Sequence, residues 1–189
     1  GTFRDKSGDI YEGNWKEGQM DGQGYYFFAN GDTYNGQWIK NKKAGNGVFS
    51  FADGSEYEGS FINDQMEGLG TFIYPDGRRF NGNWLEGKME GYGTFSDLKG
   101  NRYEGDWKDN TYNGNGTFYF ANGDQYEGEW KSSKYDGHGT FTDLDGNKYI
   151  GLWHRGLKHG QGTLYSSNTD KYVGIWLKDL RNGEGTQTY

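Results

Sequence analysis

The chain has 189 residues with the length of one ordinary domain, but hydrophobic residues make up only 31% of it, and 19% of the chain is aromatic. That stock excludes a two-layer core of Leu, Ile and Val, while the wealth of rings excludes a disordered chain. There is no cysteine and the net charge is −7, so disulfides, zinc-thiolate sites and thiol nucleophiles are excluded and a general affinity for nucleic acid or anionic lipid is disfavoured.

In chain order, Gly1-Thr2-Phe3 reads as the second half of a hairpin unit, followed by a turn at Gly8. The first full unit opens at Tyr11-Glu-Gly-Asn-Trp15, whose alternation sends Tyr, Gly and Trp to one sheet face and Glu12 and Asn14 to the other. After an intervening turn comes Gly22-x-Gly24, and the same alternation predicts that Gly22, Gly24 and Tyr26 share the aromatic face. Asn30-Gly31 then closes the hairpin with a strong turn signal.

This unit recurs with a period of 23 residues and no insertion, its first ring at Tyr11, Tyr34, Tyr57, Phe80, Tyr103, Tyr126, Tyr149 and Tyr172. All seven Trp residues occupy the last motif position, with Phe61 as the one substitute, and the repeat positions account for all 35 glycines. No glycine remains for a phosphate loop. The fold class expected is all-β: a single-layer antiparallel meander of stacked hairpins, advancing roughly 10 Å per repeat because two strands at ~4.8 Å each are added. Glycine's missing side chain leaves a slot for a neighbouring ring, and such units fold only by stacking on one another. Both ends cut within a repeat, and residues 1–189 read as one continuous array.

The stretch Tyr-Glu-Gly-Asn-Trp-Lys-Glu-Gly-Gln-Met-Asp-Gly-Gln-Gly at residues 11–24 resembles the MORN (membrane occupation and recognition nexus) repeat, and the resemblance extends over nearly the whole chain. It implies an elongated, twisted sheet with a groove. It also implies a scaffold role, most similar to the cytoskeletal MORN proteins of parasite cell-division structures and ciliary radial spokes. A cytoplasmic, cytoskeleton-associated location follows from that resemblance. The family's name also suggests a phospholipid-binding module, which acidic residues at positions 12, 58, 104, 106, 127 and 129 disfavour. A targeting appendage of a larger protein is a further alternative.

Residues that break the repeat are few. His154 and His159 flank one turn, with Asp179 in reach of a shared metal in principle, but ordinary surface histidines are the simpler reading. Asp143-Leu-Asp-Gly-Asn147 echoes a calcium loop, yet Asp97-Leu-Lys-Gly-Asn101 fills the same place without the second acid and reads as a plain turn. Asn115-Gly-Thr117 is a glycosylation sequon that the repeat itself generates. Neither catalysis, nor a cofactor, nor a metal is expected.

Two departures are more informative. The outward positions flanking the motif glycine are polar in the first six repeats, then become Ile150 and Leu152, and Val173 and Ile175, with Leu177 nearby. These predict an apolar patch, either covered by a helix or serving as a homodimer or partner interface, with the four side chains packed as a compact square. Met20, Met66 and Met89 share one turn position with Tyr112 and Tyr135, and either line one rim of a groove or shield the neighbouring ring. The groove residues expected to contact a peptide or helical protein partner are Trp84, Trp107, Trp130, Met66, Met89 and Tyr112.

Overall fold

A computed structural model describes residues 1–189 and contains seventeen antiparallel β-strands and no helix. The chain forms two compact units, Gly1–Phe95 and Ser96–Tyr189. In the first, β1 (Thr2–Arg4), β2 (Ile10–Lys16), β3 (Gln19–Phe27), β4 (Thr33–Ile39), β5 (Lys42–Ser50), β6 (Glu56–Ile62), β7 (Gln65–Ile73) and β8 (Arg79–Leu85) pair in sequence order, and β9 (Lys88–Ser96) follows. The second unit holds β10 (Arg102–Lys108), β11 (Thr111–Tyr119), β12 (Gln125–Lys131), β13 (Lys134–Thr142), β14 (Lys148–His154), β15 (Leu157–Tyr165), β16 (Lys171–Leu177) and β17 (Leu180–Thr188), again a meander.

Each repeat solves the same packing problem. The first ring of the motif is fully buried, with Tyr11, Tyr34, Tyr57, Tyr103 and Tyr126 at 0% exposure. It lies flat on two paired glycines, one from its own strand and one from the next, as Gly36 opposite Gly47 shows beneath Tyr34. A methyl group on Gly47 would stand 2.5 Å from the Tyr34 ring, so no other residue fits. The hydroxyl is not abandoned in the core: Tyr34 donates to the Gln37 carbonyl at 3.0 Å and Tyr126 to that of Glu129 at 3.0 Å. Burial pushes the Tyr34, Tyr57 and Tyr149 hydroxyls up to about 12.

The Trp of each repeat stitches it to the one before. Trp38 Nε1 donates to the Gly24 carbonyl at 3.3 Å, Trp84 to Gly70 at 3.2 Å and Trp176 to Gly162 at 3.2 Å. A first ring followed by another repeat is thereby flanked edge-on by two such positions: Tyr57 has Phe61 at 5.2 Å and Trp84 at 5.3 Å, and Tyr126 has Trp130 at 5.1 Å and Trp153 at 5.4 Å. Edge-to-face geometry of this kind adds about 0.5–1.5 kcal/mol per pair beyond area burial. The core of each unit is therefore a herringbone of rings on glycine backbone.

The two glycines of Gly-x-Gly part company. The second, such as Gly24, lies under the ring as alternation predicts. The first does not share that face. Between Gly13 and Trp15 the register slips, Gly22 adopts φ +100°, and a methyl on it would meet Asn14 on the opposite side. It is a bulge glycine, and the period-two rule fails at the extra residues. The polar outward residues cap this bulge: Asp106 accepts from the Asn115 amide at 2.9 Å and Glu129 from that of His138 at 2.8 Å.

Both edges are tied across repeats. The short turns are two-residue hairpins with positive φ at both positions, as at Lys40 (47°) and Asn41 (66°) or Asn63 (49°) and Asp64 (74°), the type I′ pattern. Asp64 then accepts from the Lys43 amide of the previous repeat at 2.8 Å, and Asp179 does the same for Lys158. On the other edge, Asp32 accepts from Ala52 and Asp124 from Leu144 in the following loop.

Candidate functional site: a ring-paved face and an apolar patch

The turn position two residues before Gly-x-Gly carries Met20, Lys43, Met66, Met89, Tyr112, Tyr135, Lys158 and Arg181, and Lys43, Tyr112, Tyr135, Lys158 and Arg181 lie over the first ring of their repeat. The position acts as a lid. Tyr112 stacks on Tyr103 at 3.8 Å and Tyr135 on Tyr126 at 3.7 Å, both within 18° of parallel. Lys158 holds its ammonium 5.2 Å from the Tyr149 centroid and Arg181 its guanidinium 4.1 Å from that of Tyr172. Met66 and Tyr112 are half-buried and border an open hollow, and Tyr112 also covers the Tyr103 ring. Met89 is more deeply set, at 8% exposure.

The Trp residues are placed otherwise. Trp84, Trp107 and Trp130 are 5–6% exposed and belong to the core herringbone. The open rings are a set that the sequence reading passed over. Two positions after Tyr26, Phe49, Phe72 and Phe118 the chain places Phe28, Phe51, Tyr74 and Phe120. In the first unit these interleave as a continuous ladder, with centroids 4.4 Å apart from Tyr26 to Phe28, 5.7 Å to Phe49, 4.6 Å to Phe51 and 5.7 Å to Phe72. The signal that would have found them is a second aromatic recurring at the same period.

Lid, ladder and Trp position together frame a hollow between neighbouring repeats. In the first unit it is lined by Lys43, Phe49, Phe51, Phe61 and Met66 and measures about 260 Å³. In the second, Tyr112, Phe118, Phe120, Trp130 and Tyr135 line one of about 270 Å³. Each residue of one is three repeats on from its counterpart in the other. A repeated chassis thus yields repeated apolar subsites with different lids.

On the opposite face, Ile150, Val173 and Leu177 are exposed at 42%, 41% and 44%, while Leu152 and Ile175 are half-buried. Leu157 and Leu180 are exposed nearby. The compact square expected of Ile150, Leu152, Val173 and Ile175 is not formed. β15 lies between β14 and β16, so Thr163 pairs with both Ile150 and Val173, and Gln161 stands opposite Ile175. The reason is that the repeat period spans two strands, which sets equivalent residues roughly 10 Å apart.

The chemistry-bearing candidates resolve into structural roles. His154 Nδ1 faces Asp136 at 3.3 Å, while Asp179 is engaged with the Lys158 amide. No group of three His, Asp or Glu side chains is placed to hold a metal. Asp143 spends both oxygens on the Asn147 amide and side chain, each at 2.8 Å, as Asp97 does on Asn101. In Asp97 that bonding holds the carboxyl below its usual range, the Asn101 side chain first among the causes.

The model of the MORN repeat family matches residues 11–33, 34–56, 57–78, 80–102, 103–125, 126–148, 149–171 and 172–189. No curated protein sequence matches significantly. Among solved structures, the chain is similar to the TCP domain of Drosophila melanogaster SAS-4, solved in complex with a proline rich motif of Ana2. That match has 12% identity and a TM-score of 0.46, covering 100% of this chain and 88% of that one. It is also similar to the TCP10c domain of Drosophila melanogaster Sas-4, at 11% identity and TM-score 0.42, over 100% of this chain and 97% of that one. The TCP10 domain of Danio rerio CPAP, in complex with a STIL peptide, matches at 15% identity and TM-score 0.30, over 91% and 86% of the two chains.

Proposed function

The chain belongs to the MORN repeat family, and on that premise we propose that it is a non-catalytic interaction and assembly scaffold whose ring-paved face docks an extended or helical segment of a partner protein. The observation that carries this reading is the recurrence of one apolar hollow, at Lys43–Met66 and again at Tyr112–Tyr135. A core needs its rings covered. Here the Phe51 and Phe120 rings remain part-open beside a hollow, so a partner's side chains would gain burial there without disturbing the herringbone. Trp130 lines the second hollow, Met66 and Tyr112 border one hollow each, and Trp84, Trp107 and Met89 hold the equivalent positions in other repeats. A cytoplasmic, cytoskeleton-associated setting is the one that the family resemblance favours.

Self-association through the last two repeats belongs to the same proposal. Ile150, Leu152, Val173 and Ile175 occupy the two positions beside the motif glycine that are polar in the first six repeats, Leu177 extends one of the two apolar rows, and a two-fold interface needs only one such patch per subunit. Residues 149–189 also carry five basic against three acidic side chains, so a meeting at this end keeps the acidic stretches apart.

The docking reading is tested by a photo-crosslinking residue placed at Phe51 or Phe120, and in parallel at the outward positions Glu58 or Glu127. Crosslinks mapped by mass spectrometry should form from the two Phe positions and not from the two Glu positions. Equal or inverted yields would place the partner on the other face and end this reading.

A further inference from the structure

The ring-paved face already binds cations, and it does so with its own side chains. Lys43 holds its ammonium 4.8 Å from the Phe49 centroid, 5.5 Å from Phe28 and 5.9 Å from Tyr34. Lys158 sits 5.2 Å from Tyr149 and 5.3 Å from Trp176. These separations lie within the roughly 6 Å at which a ring's negative face attracts a cation. Three of the eight lid positions therefore show what the face prefers: Lys43, Lys158 and Arg181.

The hollow of the second unit carries the same construction without the cation. Where its first-unit counterpart has Lys43, it has Tyr112, and where that one has Met66, it has Tyr135. Both lids add rings: Tyr112 stands 5.3 Å from Trp130 at 81°, and Tyr135 stands 4.8 Å from it at 75°. With Phe118 and Phe120 completing the lining, five rings surround about 270 Å³ of open space. Lys134 lies at its edge but holds no ring. An acidic group stands by one lid: burial raises the Tyr135 hydroxyl first, and the Asp124 carboxylate raises it further.

We infer that the hollow framed by Tyr112, Phe118, Phe120, Trp130 and Tyr135 is an aromatic cage for an alkylammonium group, the lysine side chain of a docked partner segment. This rests on the docking reading above and adds the identity of the side chain that the second unit takes. The two units then differ in kind. In the first, Lys43 fills the cation position from within; in the second, the partner supplies it. Lys134 is a competitor at the rim, and its counterpart three repeats earlier is the neutral Gln65.

The test titrates the whole 189-residue chain with acetyl-Ala-Ala-Lys-Ala-Ala-amide and with the same peptide carrying norleucine, followed by ligand-observed NMR. The lysine peptide should bind at least tenfold more tightly, and its ε-methylene resonance should move upfield under the ring currents. Tyr112→Lys places an ammonium where Lys43 has one and should abolish the binding. Tyr135→Met, a lid that the chain itself uses at Met20, Met66 and Met89, should weaken it about tenfold with the fold intact. Lys134→Gln should strengthen it. Equal affinity for the norleucine peptide would overturn the cage while leaving an apolar docking face. Indifference to Tyr112→Lys, or no saturation by either peptide at tens of millimolar, would overturn it as well, and the crosslinking at Phe51 and Phe120 judges docking separately.

Discussion

The first and second units are built on one chassis and differ in what it carries. In both, a first ring lies on paired glycines, a Trp or Phe flanks it, and Asx or Ser side chains tie one turn to the next. In the first unit the aromatic ladder runs unbroken from Tyr26 through Phe72, the lids are Met and Lys, and both positions flanking the motif glycine are polar in every repeat. In the second, the ladder continues from Phe118 through Phe120 to Phe141 but then meets Asp143, Leu164 and Ser166. Two lids there are stacked tyrosines, and the positions flanking the motif glycine turn apolar from Ile150 onward. What both units share is dictated by packing. What differs between them sits where packing leaves a choice, and those are the positions that the docking proposal assigns to partners.

Chassis substitutions should therefore cost the same in either unit, and they should cost the most. Trp84→Ala and Trp130→Ala each remove a buried ring and a hydrogen bond to the preceding repeat, and should each lose about 3–5 kcal/mol in chemical denaturation. Gly47→Ala and Gly116→Ala force a methyl to within 2.5 Å of Tyr34 and Tyr103, and should each cost about 3 kcal/mol. Gly68→Ala makes the contrast: its φ of 66° carries strain, but the nearest atom is 3.8 Å away, so about 1 kcal/mol is expected. A cost for Gly47→Ala no greater than that of Gly68→Ala would show that the ring does not lie on the glycine pair.

Alkali should attack both units alike. Tyr34 and Tyr57 in the first and Tyr135 and Tyr149 in the second have hydroxyls pushed up to about 12, burial being the leading cause in each. A phenol whose folded pKa exceeds its unfolded value of about 10 keeps its proton in the folded state while the unfolded chain releases it. The stability so held is complete below pH 10 and is lost as pH rises toward 12. Ultraviolet titration should show these rings ionising together with a cooperative loss of β signal near pH 12. Independent ionisation near pH 10 in an intact fold would contradict their burial.

Smaller effects separate the units. Asp64→Ala removes the carboxylate that accepts from the Lys43 amide, at a cost of about 1–2 kcal/mol, whereas its second-unit counterpart Ser133→Ala should cost about 0.5–1 kcal/mol, measured by thermal melts. Leu152→Glu with Ile175→Glu should change stability least, by about 0.5 kcal/mol, since both are outward and half-buried. Sedimentation should nonetheless read a monomer where the parent chain reads a dimer. A monomeric parent at tens of micromolar would remove the self-association proposal.

The chassis was legible in the sequence because its cause is strictly periodic: a ring, the glycine beneath it and the Trp beside it recur in every copy. The class, the strand order and the buried face followed from that. What escaped was set by departures from strict alternation. The bulge at Gly22 turned one glycine of each pair to the far side, and β15 separated Ile150 from Val173, so the apolar patch forms rows instead of a square. The open rings were missed for a different reason: Phe51 and Phe120 sit in the long turns, where periodic apolar residues were credited to the strands alone. The lid was half legible: Met20, Met66, Met89, Tyr112 and Tyr135 share one turn position, but Lys43, Lys158 and Arg181 occupy it too, and a long charged side chain gives no sequence sign that it lies over a ring.

The central claim is that partners meet the ring-paved face, and it is tested most directly by affinity for the partner that crosslinking identifies. Met66→Gln with Tyr112→Gln alters one lid in each unit; Glu58→Gln with Glu127→Gln alters the outward face. Isothermal titration at a temperature where every variant is folded should show the lid pair binding at least tenfold more weakly and the outward pair binding as the parent does. A lid pair with unchanged affinity beside an outward pair that loses it would contradict the account.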